Sequence, residues 1–121
     1  MPKNFVKAPK RVSLTAIGDD MNPNPWKGAY VIVRKASYAE VEQIDEMLAV
    51  ARRSDDDEKS KATAERLLAF IKERLIEGKA PATGKDGKTE LVAIEPDDIR
   101  YLGMDVVSRI TDGIKGIVDP K

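Results

Sequence analysis

The sequence predicts an α+β fold in which an N-terminal β-hairpin packs on three α-helices. Two short segments, near residues 12–17 and 29–34, have the alternating or apolar character of strands. Three later segments, about residues 38–53, 55–77 and 96–118, repeat apolar side chains at helical spacing. A two-stranded ribbon is marginally stable alone, so we expect it to lie on the helices or on the sheet of another copy.

The start of the chain differs in composition from the rest. Residues 1–10 hold two prolines and three lysines, so residues 1–11 are predicted to be a flexible basic arm. Residues 12–121 are then predicted to be a single α+β domain, since a chain of 121 residues suits one domain. Between the two strands, Pro23 and Pro25 preclude regular structure, because each removes a hydrogen-bond donor and restricts the residue before it.

Each predicted helix has a recognisable start. Ser37 and Glu40 have the spacing of a capping box, in which the hydroxyl and the carboxylate satisfy each other's backbone N–H groups. Ser54, followed by acidic residues, is placed as the N-cap of the second helix, unless it only bends one long helix. Pro96 is predicted to take the first position of the third helix.

The segment between the second and third helices is rich in turn formers. Pro81, Gly84 and Gly87 predict a loop over residues 79–88, with Gly78 ending the second helix. A short extended piece, residues 91–94, then leads to the third helix. Residues 78–85 resemble a phosphate-binding loop only superficially, because the glycine spacing is wrong and no strand precedes them.

The chain contains no cysteine and no histidine. It therefore lacks thiolate chemistry, the commonest general base and the commonest transition-metal ligand. Its carboxylates are predicted to lie on polar helix faces, where water keeps their pKa values ordinary. We therefore expect no catalytic residues, no metal site and no cofactor. No apolar run is long enough to span a bilayer, so the expected location is the cytoplasm.

The charge is unevenly distributed along a chain whose net charge is zero. Residues 1–36 carry seven Lys and Arg against two Asp, a net of +5, and residues 37–121 carry a net of −5. A basic arm could bind nucleic acid, but its charges are few and spread among prolines. Attraction between the two halves, or between copies of the chain, explains the distribution more simply.

Two features favour contacts with another protein. Trp26 lies in a proline-rich loop and either anchors that loop to the body or contacts a partner. The apolar stripe of the third helix either completes the core or remains available to a partner or a second copy. The candidate partner-binding residues are Trp26, Tyr30, Ile99, Leu102, Val106, Ile110 and Ile114.

The order of these parts resembles a known family. Residues 26–34 run straight into the capping box at Ser37, residues 84–88 precede an extended piece, and an Asp-rich helix start leads to a terminal helix. This layout resembles the tail assembly chaperones of long-tailed, siphovirus-type bacteriophages. The resemblance implies a partner, the long helical tape measure protein, which such chaperones keep soluble until tail-tube subunits polymerise around it. It also implies action in the host cytoplasm and absence from the mature virion.

Two other functions remain open from the sequence. The chain could be a small structural subunit, such as a head–tail connector or minor tail protein, that is retained in the virion. It could also be a small nucleic-acid-binding regulator that uses residues 1–35, although the sparse charge makes this the weakest hypothesis. We expect self-association for a chaperone and for a structural subunit, and we expect no membrane association for any of the three functions.

Overall fold

The computed structural model describes residues 8–53 and 57–116 and has the predicted α+β class. The sheet consists of β1 (Pro9–Ser13), β2 (Tyr30–Arg34), β3 (Leu75–Thr83) and β4 (Thr89–Ala93). The helices are α1 (Tyr38–Arg53), α2 (Asp57–Arg74) and α3 (Met104–Lys115), and two 3₁₀ helices span Thr15–Gly18 and Pro96–Tyr101.

The sheet is an antiparallel meander in the order β1-β2-β3-β4 and not the predicted two-stranded hairpin. Strand β3 is shared between two neighbours: its residues from Leu75 to Lys79 pair with β2, and those from Lys79 to Thr83 pair with β4. Pro81 lies beyond the last residue that pairs with β2, so its missing N–H costs that ladder nothing. The β3–β4 hairpin therefore extends past the end of β2.

Strand β3 replaces the end of the predicted second helix and most of the loop that was predicted to follow it. Helix α2 ends at Arg74, and residues 75–83, which were assigned partly to the helix and partly to a loop, form β3. The reason is a change of period: Gly78 and Ala80 are buried, whereas Glu77 before them and Lys79 between them are exposed. Gly78 does not end a helix but lies within β3, opposite Val31 of β2. A Cβ on Gly78 would lie 2.8 Å from the side chain of Val31, so the position suits glycine.

The first strand is also displaced from its predicted position. It covers Pro9–Ser13 and is followed by the 3₁₀ helix Thr15–Gly18, instead of covering residues 12–17. The chain turns at Leu14, whose N–H donates to the carbonyl of Ala29 at 2.9 Å. Residues 9–11 of the predicted basic arm thus belong to the sheet, and residues 1–7 lie outside the described residues.

Helices α1 and α2 form an antiparallel pair, because Glu40 in the first turn of α1 contacts Arg74 at the end of α2. The predicted capping box is confirmed: the Ser37 N–H donates to Glu40 Oε1 at 2.9 Å, and the Glu40 N–H donates to Ser37 Oγ at 3.2 Å. The two segments are separate helices and not one bent helix. The predicted cap at Ser54 lies outside the described residues.

The predicted third helix is two elements. Pro96 occupies its predicted first position, but the element it begins is the 3₁₀ helix Pro96–Tyr101. Leu102 and Gly103 are extended, with ψ angles of 153° and 157°, and α3 begins only at Met104. Gly116 ends α3 in the left-handed region with φ 82°, which favours glycine. The last predicted helical residues, 117 and 118, lie outside the described residues.

The buried side chains form one cluster between the helices and one face of the sheet. Val12, Val31 and Val33 project from that face and are at most 7% exposed. Helix α3 lies close against it, because a Cβ on Gly113 would be 2.3 Å from Val12 Cγ2. Glycine generally weakens a helix, but the missing side chain of Gly113 is what permits this approach.

Candidate partner-binding groove

An open groove of about 620 Å³ lies between the helices. It is bounded by α1, α2, the 3₁₀ helix Pro96–Tyr101 and the first turns of α3. Most of its lining is aliphatic, and its lining residues are Leu48, Ala64, Glu65, Leu67, Leu68, Ile71, Ile99, Arg100, Tyr101, Leu102, Met104, Val107 and Ser108.

The groove has a buried floor and an exposed apolar rim. Ile71 and Ile99 are 1% and 0% exposed, so they form the floor and belong also to the core. Tyr101 and Met104 are 82% and 79% exposed, although both are large and largely apolar. Tyrosine is enriched among the residues that dominate binding energy, and methionine adapts its shape to different partners. The rim therefore carries side chains suited to protein contacts.

The local sequence explains why Ile99 and Tyr101 diverge. The Glu95 N–H donates to the side chain of Asp98 at 2.9 Å, and Pro96 supplies a fixed φ at the first position of the 3₁₀ helix. Three residues per turn place Ile99 against α2, whereas Tyr101 projects outward. The extended residues that follow then direct the chain into α3 and leave Met104 on the same rim.

Two ion pairs attach the 3₁₀ helix to α2 beside the groove. Lys72 Nζ lies 2.7 Å from Asp97 Oδ1, and Arg100 Nη2 donates to both carboxylate oxygens of Glu65 at 2.9 and 3.0 Å. The hydrogen bond from Lys72, and then its charge, lower the pKa of Asp97 from its ordinary value. Each exposed pair contributes little alone, but together they limit how far the two walls can separate.

Of the seven predicted partner-binding residues, only Ile99 and Leu102 line the groove. Val106, Ile110 and Ile114 are at most 1% exposed and form part of the core, so the predicted surface is corrected at these positions. Ile99, as the floor, is also inaccessible to a partner in the described conformation. The stripe of α3 faces the sheet, where the helix packs on β1 and β2.

Trp26 and Tyr30 lie away from the groove. The backbone N–H of Trp26 donates to Asn24 Oδ1 at 2.8 Å, and the partly buried Trp26 ring packs against the core. Of the two roles considered for Trp26, these contacts favour the anchoring of its loop to the body. Tyr30 donates its hydroxyl to Glu77 Oε2 at 3.0 Å and lies under the guanidinium of Arg11, 4.6 Å away. The hydrogen bond to Glu77 is the main cause that raises the Tyr30 pKa.

The rim residues Tyr101 and Met104 were missed from the sequence. The spacing of Ile99, Leu102 and Val106 fits a continuous helix, in which Tyr101 would be one more polar-face residue. The signal that could have found them is Gly103, which is unfavourable inside a helix and favourable where the chain is extended before one.

Within residues 8–53 and 57–116, no group of acidic side chains could hold a metal ion, and no helix has the length and apolarity to cross a membrane. Comparisons of the chain with protein-family models, with curated proteins and with solved structures find no match. The groove is therefore the feature on which a function can be argued.

Proposed function

We propose that this chain is a non-enzymatic binding protein that receives an amphipathic helix of another protein in the groove. The observation that carries the proposal is an aliphatic groove whose rim residues, Tyr101 and Met104, are almost fully exposed. Exposed apolar side chains that adjoin an aliphatic groove form the kind of continuous patch that marks a protein-binding surface. A helix laid in such a groove buries apolar residues at positions i, i+3/i+4 and i+7.

The hydrophobic effect supplies the affinity. Complete burial of a leucine or methionine side chain contributes about 1.5–3 kcal/mol. A bound helix that covers Met104 and the partly buried Leu67 and Leu68 gains most of this increment at Met104 and a fraction of it at each leucine, less the cost of association. The charged side chains at the edge, Glu65 and Arg100, already bind each other, so a mostly apolar partner leaves no charge unpaired.

The partner that we propose is a tape measure protein, by the resemblance to tail assembly chaperones. Such a chain presents long apolar helical stripes, which aggregate if they are not covered. The aliphatic groove can receive one segment of such a stripe, and many copies of a small protein can together cover a long helix. In this proposal the protein acts in the host cytoplasm and is absent from the mature virion.

The test is co-expression with the tape measure protein encoded near this chain, compared among three forms. We expect the wild-type chain to keep that protein in the soluble fraction. Met104→Asp places a charge on the rim and should abolish the effect and weaken binding to a helical fragment at least tenfold. Met21→Asp is the matched control, because Met21 is also exposed, at 53%, but does not line the groove.

Two results would contradict the proposal. Equal loss of binding in both aspartate variants would place the contact outside the groove, and no solubilisation by the wild-type chain would remove the chaperone role. Mass spectrometry of purified particles separates this role from that of a retained structural subunit. A chaperone should be missing from the particles, whereas a subunit should be present at fixed stoichiometry.

A further inference from the structure

Strand β4 is an exposed edge of the sheet. It pairs with β3 on one side, and all five of its residues are exposed. Two of them are large and aliphatic: Leu91 and Val92 are 36% and 40% exposed. On its other side, β4 has no hydrogen-bonded strand among the described residues. The strand thus combines unpaired backbone groups with apolar side chains.

The pairing with β3 determines which backbone groups point outward. The N–H of Ile94 donates to the carbonyl of Gly78, and that of Gly84 to the carbonyl of Lys88, both at 2.9 Å. Because hydrogen-bonding residues alternate along an antiparallel strand, the even-numbered residues 88–94 face β3. Thr89, Leu91 and Ala93 therefore direct their N–H and C=O groups away from the sheet.

This edge has little of the usual protection against strand addition. Proteins protect edges with proline, charged side chains (lysine above all), a bulge or a covering element. The sequence of β4 is Thr-Glu-Leu-Val-Ala, with one acidic residue and neither proline nor lysine. Its pairing with β3 is regular over all five residues.

We propose that β4 pairs antiparallel with β4 of a second copy, centred on Leu91, to form a continuous eight-stranded sheet. In this register Leu91 lies opposite Leu91 of the partner subunit and Thr89 opposite Ala93, and all are outward-facing residues. The pairing makes about six backbone hydrogen bonds. A register centred on Glu90 places two carboxylates directly opposite each other, and one centred on Val92 leaves Thr89 outside the strand overlap.

The charges at the two ends of β4 favour the antiparallel orientation. The turn before β4 contains Lys85 and Lys88 with one acid, Asp86, whereas the segment after it contains Glu95, Asp97 and Asp98. An antiparallel pair brings the basic turn of each copy beside the acidic segment of the other. A parallel pair would place like charges together. No residue of β4 itself lines the groove.

The decisive variant is Leu91→Pro. Proline removes an outward N–H and leaves the hydrogen bonds to β3 intact, because residue 91 does not donate to that strand. Leu91→Thr is the matched control, since it also loses the leucine side chain but keeps the N–H and suits a strand. Analytical ultracentrifugation over a range of concentrations should show a monomer–dimer equilibrium for the wild type. Leu91→Pro should weaken it at least tenfold, and Leu91→Thr less than threefold.

A second variant keeps the test valid if circular dichroism shows that Leu91→Pro has not folded. The double variant Lys85→Glu/Lys88→Glu should weaken the dimer and reduce its sensitivity to salt, whereas Lys61→Glu on α2 should do neither. A wild-type chain that stays monomeric, a dimer that persists in folded Leu91→Pro, or equal losses in both Leu91 variants would overturn strand pairing. If Leu91→Pro does not fold, an unaffected lysine double variant overturns it.

Discussion

The close approach of α3 to β1 makes a sharp prediction at Gly113. A Cβ at this position would lie 2.3 Å from Val12 Cγ2, about 1.2 Å short of the roughly 3.5 Å at which two carbons are in contact. Val12 is 7% exposed and fixed in a strand, so it has little room to retreat. Gly113→Ala should therefore destabilise the protein, although alanine is the better helix former.

The size of the effect follows from two opposed contributions. Alanine is favoured over glycine inside a helix by roughly 1 kcal/mol. Forcing an extra methyl group into a packed core costs about 1–3 kcal/mol. Because the overlap with Val12 is large, the steric cost should lie in the upper part of this range, at about 2–3 kcal/mol. The net loss in the free energy of unfolding is then about 1–2 kcal/mol, which lowers Tm by roughly 3–10 °C for a domain of this size.

The assay is urea unfolding followed by circular dichroism, with a double-mutant cycle. Val12→Ala removes the methyl group that the new Cβ meets, so it should cost at least 1 kcal/mol less beside Gly113→Ala than alone. Asp112→Ala, at an exposed position of the same helix, is the control and should change stability by less than about 0.5 kcal/mol. A neutral or stabilising Gly113→Ala, or additive effects in the cycle, would refute the described packing.

Three further predictions concern hydrogen-bonded carboxylates. Glu40→Gln keeps an acceptor for the capping box but loses the charge facing the arginine at the end of α2, so urea unfolding should show a loss of about 0.5–1 kcal/mol, and a larger one for Glu40→Ala. Lys72→Met should raise the pKa of Asp97, as measured by NMR titration. In the wild type the lowered pKa stabilises the folded state at pH values above the ordinary pKa of an aspartate, and this contribution disappears as the pH falls through the folded-state pKa. Glu77→Gln should lower the pKa of Tyr30, as measured by ultraviolet titration. In the wild type the raised pKa stabilises the folded state fully at pH values below the ordinary pKa of a tyrosine, and this contribution is lost as the pH rises through the folded-state pKa. An unchanged pKa in either titration, or equal losses for the two Glu40 variants, would contradict the corresponding contact.

Local signals in the sequence predicted local structure well. The capping box at Ser37, the helix start at Pro96 and the strand near Tyr30 are all present. Each of these features depends on residues that are close together in the sequence, which form the hydrogen bonds and restrict the backbone angles locally. The α+β class, which was predicted from such local signals, is confirmed.

The four-stranded sheet could not be predicted in the same way, because its evidence is not local. Residues 75–83 contain glycine, alanine and proline where strands usually contain branched side chains, and they pair with β2, more than forty residues earlier in the chain. The burial of the α3 stripe is not local either, because α3 packs on β1 and β2, at least seventy residues earlier in the chain. This is why Val106 and Ile110 are core residues, and why the groove lies elsewhere.

The turn at the tip of the β3–β4 hairpin has a practical consequence. It is closed by a backbone hydrogen bond of 2.9 Å between Gly84 and Lys88, and a Cβ on Gly87 would meet no atom within 4 Å. Exposed tips of this kind accept inserted sequence more readily than any other part of a domain. A short epitope or a fluorescent label placed there would mark the protein in the cell while leaving its hydrophobic interior undisturbed.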